Sequence, residues 1–282
     1  MTTETTLTST KAWAPDLTAV AAADAVPEAL ILQTSTVSGS IEGDAPLVRV
    51  QYIDDATASF TAEGVTIDEA DPGLSECLVP TGKVAQIIRL SREQFAQPNA
   101  SELLSTSVAR AVTKAGNTAY IAQAAPTSPA VTPPAGLLNI PGIVNGGSVT
   151  GDLDTLVDLL ATLATNGSTP SHIVLSPTAW ASLRKLKIGA DFNSTLLGTG
   201  ASDAQKFLLD LPVIVSSAAP ANTGLVIDKT AVVSAVGAVQ VSISEHAYFA
   251  ADSIAVRCIW RFGANVVKPS RVGKFTVATS GS

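Results

Sequence analysis

A chain of 282 residues is long enough to bury a substantial core, and its formal charge of −7 argues against free nucleic acid as a specific partner, because phosphate binding needs a basic surface. Hydrophobic residues make up 46% and charged ones only 15%, a composition suited to β-structure and large buried interfaces rather than to a highly charged monomer. No stretch reaches the roughly 18 consecutive apolar residues of a membrane span, and MTTETTLTSTKAW lacks both the basic and the apolar region of a secretory signal, so the chain is expected to be made in the cytoplasm and to stay soluble or assemble.

Residues 1–40 are rich in Thr, Ser and Ala with little periodicity. Pro15 and Asp16 predict a short helix through Ala23, interrupted at Pro27. The segment is either a tail or an arm that orders only against a neighbour. Residues 47–55, LVRVQYIDD, alternate apolar and polar and read as a strand. A second extended run, ASFTAEGVTIDEAD, bends at Glu63-Gly64. Residues 74–90 return as another alternating stretch, LSECLVPTGKVAQIIRL, so two long strands with a polar tip make a hairpin arm.

The arm is strongly acidic. Residues 42–76 hold nine acids (Glu42, Asp44, Asp54, Asp55, Glu63, Asp68, Glu69, Asp71 and Glu76) against Arg49 alone, a net of −8. The compensating charge is localised: residues 77–125 carry Lys83, Arg89, Arg92, Arg110 and Lys114 against Glu93 and Glu102, and residues 245–282 are likewise at +3. An acidic arm and a basic body attract each other within a subunit or between subunits, and the second arrangement would fix the register of association.

Ser91-Arg92-Glu93-Gln94 is a capping box opening a short helix that Pro98 closes. The strongest helical signature follows at 99–123, NASELLSTSVARAVTKAGNTAYIAQ, with Asn99 as cap and Glu102 completing a second box. Leu104, Val108, Ala111, Ala115, Ala119 and Ala122 recur at steps of three and four, which predicts a mostly alanine stripe able to pack closely. Glu102, Thr106, Arg110, Thr113 and Asn117 form the opposite polar face. Pro126 ends the run, and Pro129, Pro133 and Pro134 mark a linker into a turn-rich segment from Gly136 to Gly147.

Residues 152–166 predict an amphipathic helix with Leu153, Leu156, Val157, Leu160 and Leu163 on one side and acids in its first turn, stopped by Gly167. His172–Leu175 is a short buried strand, and Ser176-Pro177 starts a helix to about Lys187. Residues 189–206 are a polar loop. Strands are then expected at 211–215, 225–227, 232–235, 239–243, 254–262 and 266–267. This mixture, with long-range returns, is α+β.

No catalytic motif stands in the sequence. His172 has no Cys or carboxylate at ligand spacing, and His246, which follows Glu245 at a strand end, reads as structural; Cys77 and Cys258 form no metal-like pair and read as two buried thiols in preference to one disulfide; and there is no Gly-x-Ser-x-Gly elbow, phosphate loop, His-Glu-x-x-His or calcium loop. Asp152 and Asp154 are first-turn helix acids. No catalytic residue, cofactor site or metal site is predicted.

The order of the parts resembles the major capsid proteins of tailed bacteriophages, the Hong Kong 97 type fold, over roughly residues 27–277. The resemblance is carried by the arm ending in Thr61-Ala62-Glu63-Gly64-Val65-Thr66-Ile67, by Gly82-Lys83-Val84-Ala85-Gln86 through Leu90-Ser91-Arg92-Glu93 ahead of the long helix, and by Pro134-Ala135-Gly136-Leu137-Leu138 after it. It continues through Leu211-Pro212-Val213-Ile214, Phe249-Ala250-Ala251-Asp252 and Ala255-Val256-Arg257 to Pro269. It implies an N-terminal arm (1–46), an extended loop (47–80), a peripheral domain with the long spine helix (81–125 and 248–282) and an axial domain (126–247). It also implies pentamers and hexamers in an icosahedral shell around double-stranded phage DNA held nonspecifically, assembled in the host bacterial cytoplasm. Portal, scaffolding and cementing proteins would be the partners, with no membrane. Residues 47–80 contain no lysine, so isopeptide crosslinking from the arm is not expected. Inter-subunit contacts are expected at Glu63, Asp68, Glu69, Asp71, Arg92, Arg110 and Lys114. An encapsulin-type nanocompartment is the alternative, although the Thr-rich start does not resemble a cargo-docking helix; a cytosolic serine hydrolase is the alternative from another class.

Overall fold

The structure, a computed structural model, describes residues 17–41, 45–54, 58, 60, 61, 63, 64, 66, 69, 73–95, 100–186 and 206–278, with backbone alone at 17–19, 54 and 100–103. In chain order the elements are β1 (Leu17–Val20), α1 (Ala22–Ala25), α2 (Leu30–Thr34), β2 (Thr36–Ser40), β3 (Leu47–Asp54), β4 (Gly73–Pro80), β5 (Gly82–Ser91), α3 (Arg92–Phe95) and α4 (Ala100–Ala122). There follow β6 (Val144–Val149), α5 (Asp154–Thr165), β7 (His172–Leu175), α6 (Pro177–Arg184), β8 (Phe207–Leu208), β9 (Leu211–Val215), β10 (Thr223–Ile227), β11 (Val232–Val236), β12 (Val239–Tyr248), β13 (Ser253–Val266) and β14 (Gly273–Val277).

The first sheet is built around β13. Its even-numbered residues Ile254, Val256, Cys258, Trp260 and Phe262 are all buried, whereas Arg257 is exposed and Ile259 and Arg261 are partly so, the period of two that puts alternate side chains on opposite faces. Strand β5 pairs along one edge of β13, from Ser253↔Ser91 to Phe262↔Gly82. Along the other edge run β12 and then β11, end to end, interrupted at Gly237, whose N–H donates to Arg261 O at 2.9 Å. The expected breaks after Ile243 and Phe262 are absent, because both strands continue their ladders to Tyr248 and Val266. Of the segment expected as a helix from Pro15 to Ala23, Pro15 and Asp16 lie outside the described residues, Leu17–Val20 instead form β1, which caps the open edge of β12, and the helix that follows is Ala22–Ala25. An edge offering backbone hydrogen bonds outweighs a weak local helical preference. Likewise β2 adds in parallel to β11.

Helix α4 crosses the inner face of this sheet. Its buried line is Val108, Val112, Gly116 and Tyr120 with Ile121, one step of four after another, rather than the alanine stripe; Ala115 is exposed and Ala111 and Ala119 only partly buried. Gly116 is needed at the crossing: a Cβ there would lie 2.5 Å from Trp260 Cζ3. Thr113 and Asn117 also depart from the expected solvent-facing set, both being partly buried. Asn117 Oδ1 accepts from Leu30 N at 2.8 Å, and Tyr120 Oη meets Thr34 Oγ1 at 3.0 Å, which pins α2 to α4. Burial of Tyr120 pushes its phenol well above its usual range. Residues 17–41 are thus packed on their own subunit, with Leu30 and Ile31 in the core. Helix α4 ends before Pro126 because Asn139 Nδ2 takes the carbonyls of Ala122 and Gln123, at 3.1 and 2.7 Å.

The second sheet has the order β6-β14-β10-β7-β9-β8 and is covered by α5 and α6. Leu156, Leu159 and Leu163 face the sheet from α5; Val157, expected among them, is 48% exposed because it lies off that stripe. Gly167, at φ 72°, closes the helix. Ser176 Oγ accepts from Ala179 N at 3.1 Å ahead of Pro177, as its sequence predicts. The segment read as turn-rich contains β6, a glycine-containing strand held in parallel by β14. Residues 187–205, including most of the expected loop, lie outside the described residues.

One buried carboxylate ties the second sheet to the turn before β11. Asp228 is 1% exposed; Oδ1 accepts from Thr230 N and Oγ1 at 2.9 and 2.7 Å, and Oδ2 from Thr169 N at 3.0 Å. Asp228→Ala should cost about 3 kcal/mol, since it leaves charge-assisted donors unpaired. Asp228→Asn should cost about half as much, both read from urea unfolding midpoints; equal midpoints for all three proteins would refute the assignment.

Candidate assembly surfaces

Strands β3 and β4 pair antiparallel from Leu47↔Pro80 to Asp54↔Gly73 and form the hairpin expected from the alternation. Of the second extended run, the described residues form no strand; Glu63-Gly64 make a turn, with Gly64 at φ 82°. The inner face of the hairpin buries Val50, Cys77 and Val79 against Val233 and Ala235 of β11. Its outer face carries Ile53, Leu74 and Leu78, exposed at 60%, 84% and 45%. Arg49 and Glu76 pair across it at 3.4 Å, both exposed, a contact of a few tenths of a kcal/mol.

The root of the arm is rigid. Thr81 is fully buried; its N–H donates to Pro46 O at 2.9 Å, and its hydroxyl accepts from Arg261 Nη1 at 3.2 Å. Asn265 Nδ2 donates to Leu78 O at 2.9 Å. Only Thr81 separates β4 from β5, and both lie along β13, so the arm prolongs the line of β5 away from the body. Glu63 and Glu69 are exposed beyond it; Asp68 and Asp71 lie outside the described residues.

The expected cationic contacts are dispersed rather than gathered. At the start of α3, Ser91 and Gln94 cap each other, Ser91 N donating to Gln94 Oε1 at 3.4 Å and Gln94 N to Ser91 Oγ at 3.2 Å. Arg92 beside them is already paired within the subunit, with Asp252 at 2.9 Å and Glu245 at 3.6 Å. The hydrogen bond to Asp252, then the two carboxylate charges, hold its guanidinium above the usual range. Arg110 and Lys114 are exposed on α4, beside a groove that also includes Glu28, Ser216 and Ser217.

A different basic surface faces the other way. On the outer face of the first sheet, Lys83, Ala85, Ile87 and Arg89 of β5 stand opposite Arg261, Ile259, Arg257 and Ala255 of β13. Arg89 lies over the Tyr248 ring, 4.9 Å from its centroid. The signal was present in the sequence as Lys-x-Ala-x-Ile-x-Arg at strand period, but only the pairing of β5 with β13 brings Arg257 and Arg261 beside it.

Among the described residues no three His, Cys, Asp or Glu side chains are placed to hold a metal ion. Cys77 and Cys258 are buried free thiols, pushed up by that burial. His172 is pulled down, first by desolvation and then by Lys229, and its Nδ1 meets Ser171 Oγ at 3.0 Å. No described helix is long and apolar enough to cross a membrane.

The profile of the phage capsid family matches residues 15–277. Among solved structures, the chain is similar to the capsid of an empty GTA particle computed with C5 symmetry, at 17% identity and a TM-score of 0.65, with 88% of this chain and 89% of that chain covered. The capsid of a native GTA particle aligns at 16% and 0.66, covering 99% and 95%. A chain from Mycobacterium phage Bobi aligns at 16% and 0.64, covering 90% and 91%. Comparison with curated proteins finds no match.

Proposed function

We propose, because this chain belongs to the phage capsid family, that it is a major capsid protein whose copies assemble as pentamers and hexamers into an icosahedral shell around double-stranded DNA. As a member of that family it is a structural protein of the virion, not an enzyme. The observation that carries the reading is the family match across 15–277, which spans both sheets and the arm. The projecting arm suits it physically: a rigidly rooted, acidic hairpin with exposed Ile53 and Leu74 is built to be covered.

The division into arm (1–46), extended loop (47–80), peripheral domain (81–125 with 248–282) and axial domain (126–247) is retained as a proposal. Strands are best grouped with their sheets: β11 and β12 pair in the first, β14 in the second. Portal, scaffolding and cementing proteins are the partners such a shell would engage, with assembly in the bacterial cytoplasm.

Electron microscopy of the expressed chain tests the reading: capsomers or shells support it, and a stable monomer overturns it. Within it, the arm of one subunit contacts the body of the next, Glu63, Asp68, Glu69 and Asp71 being its charged candidates and Arg92, Arg110 and Lys114 those of the body. Glu69→Lys with Asp71→Lys should reduce shell yield about tenfold while leaving the thermal midpoint unchanged, since exposed charges steer association more than folding. Normal shells from this variant would refute the contact.

A further inference from the structure

We infer that the segment ahead of β1 turns back over its own subunit and seats Trp13 in the apolar hollow between helix α4 and the inner face of the first sheet. The inference stands apart from the capsid reading, since it concerns one subunit and needs no neighbour.

The hollow has a volume of about 380 Å³. Strands β12 and β13 supply its floor, Cys258 included, and α4 forms the wall over it through Leu104, Val108 and Val112. Among the described residues that line it, Asp24 and Ser105 alone carry charged or hydroxyl side chains. Water fills such a space poorly, because a buried water needs several polar partners. Left unfilled, the space forfeits dispersion contacts along its whole lining. One end is closed. Val20 stands opposite Val239 in the β1–β12 ladder, and α1, which follows directly, covers that end with Ala25 and Val26. At the other end Ile243 is 44% exposed.

The occupant follows from where the chain enters. Leu17 pairs with Ser242, beside Ile243, so residues 1–16, which lie outside the described residues, join β1 at the open end of the hollow. The large apolar side chains of that segment are Met1, Leu7 and Trp13, and Trp13 is the nearest. Trp13 and Leu17 are four positions apart, a reach of about 13 Å at roughly 3.3 Å per residue. The floor from Val239 to Ile243 is four positions long as well, so the indole can reach any part of it. Pro15 and Asp16 stand between, two residues favoured in tight turns. A chain that reverses there lays Trp13 over the hollow and carries Lys11, the one base of the segment, toward the covered end. Asp24 waits at that end, exposed and in no ion pair among the described residues. An indole removes on the order of 200 Å² of largely apolar surface from water when buried, which offsets the entropy of ordering a short segment.

The test uses the full chain in a Cys77→Ala background, which leaves Cys258 on the floor of the hollow as the only thiol. Trp13→Ala should raise the rate of Cys258 labelling by a small maleimide about tenfold, because the cover is lost. Trp13→Phe, which keeps an aromatic ring, should raise it less than about threefold. In the same background Trp13→Cys, treated with a short bismaleimide, should be joined between residues 13 and 258 of one chain, read by peptide mass mapping. Labelling unchanged by Trp13→Ala overturns the inference. So does an equal rise from Trp180→Ala, since Trp180 packs with the core of the second sheet and such a rise marks general loosening. A crosslink between two chains assigns the hollow to the segment of a second copy, and an apolar molecule released from the native protein and identified by mass spectrometry assigns it to a ligand; either result overturns the inference.

Discussion

Gly263→Val is expected to abolish shell formation. A Cβ at residue 263 would stand 2.0 Å from Pro80 O and 3.0 Å from Thr81 Cα, so it meets backbone rather than a side chain that can turn aside. Pro80 and Thr81 are the root of the arm, and Thr81 is itself buried. Overpacking of this kind costs about 3 kcal/mol, and relief requires either the arm or the end of β13 to move. Because the arm is long, a small rotation at the root displaces its acidic end by many ångströms. The unfolding midpoint in urea should fall, and electron microscopy should show no closed shells even where the subunit remains folded. Wild-type midpoint and normal particles would show that the root is not constrained in this way.

Trp260→Ala should be the most damaging core substitution, at about 3–5 kcal/mol. The side chain is fully buried, its ring lies 4.4 Å from that of Phe262 between centroids, and Nε1 donates to Gly237 O at 3.2 Å. It therefore joins the sheet, the interruption between β11 and β12, and helix α4 at Gly116. Gly116→Ala should also destabilise, because its methyl enters the space of the indole. In a Trp260→Phe background that cost should shrink by about 1 kcal/mol, since neighbours sharing one space are not additive. Additive midpoints in the double-mutant cycle would disprove the contact.

Much of this architecture was legible because it depends on local pattern. The period of two in LVRVQYIDD and LSECLVP forms the hairpin, with its apolar inner face against β11. Ser91 and Gln94 cap each other, and Ser176-Pro177 opens α6, because capping needs only neighbouring residues. Elements missed in the sequence are those held by distant partners. Strand β1 exists because β12 has an edge to offer, and β6, with Asn145, Gly146 and Gly147 in its middle, exists because β14 pairs with it. The alanines of α4 were a misleading guide for a related reason. Small residues can face anything, and here the glycine under Trp260 sets which side of the helix is inward.

The candidate contacts divide along the same line. The acidic excess of the arm is a property of composition and needs no coordinates. Which cations could meet it is a property of pairing. Arg92 looked as available as its neighbours in sequence, yet Asp252, 160 residues away, holds it. Lys83 and Arg261 are 178 positions apart and stand opposite each other only when β5 and β13 align.

By itself, then, the sequence determined an α+β chain with an acidic hairpin and a long helix, since periodicity and charge count are read over a few residues at a time. Only the tertiary structure decided where the arm is rooted, which side of α4 is buried and which charges are already paired. Those depend on strand ladders and side-chain contacts between residues far apart in the chain, whose energies no local window contains.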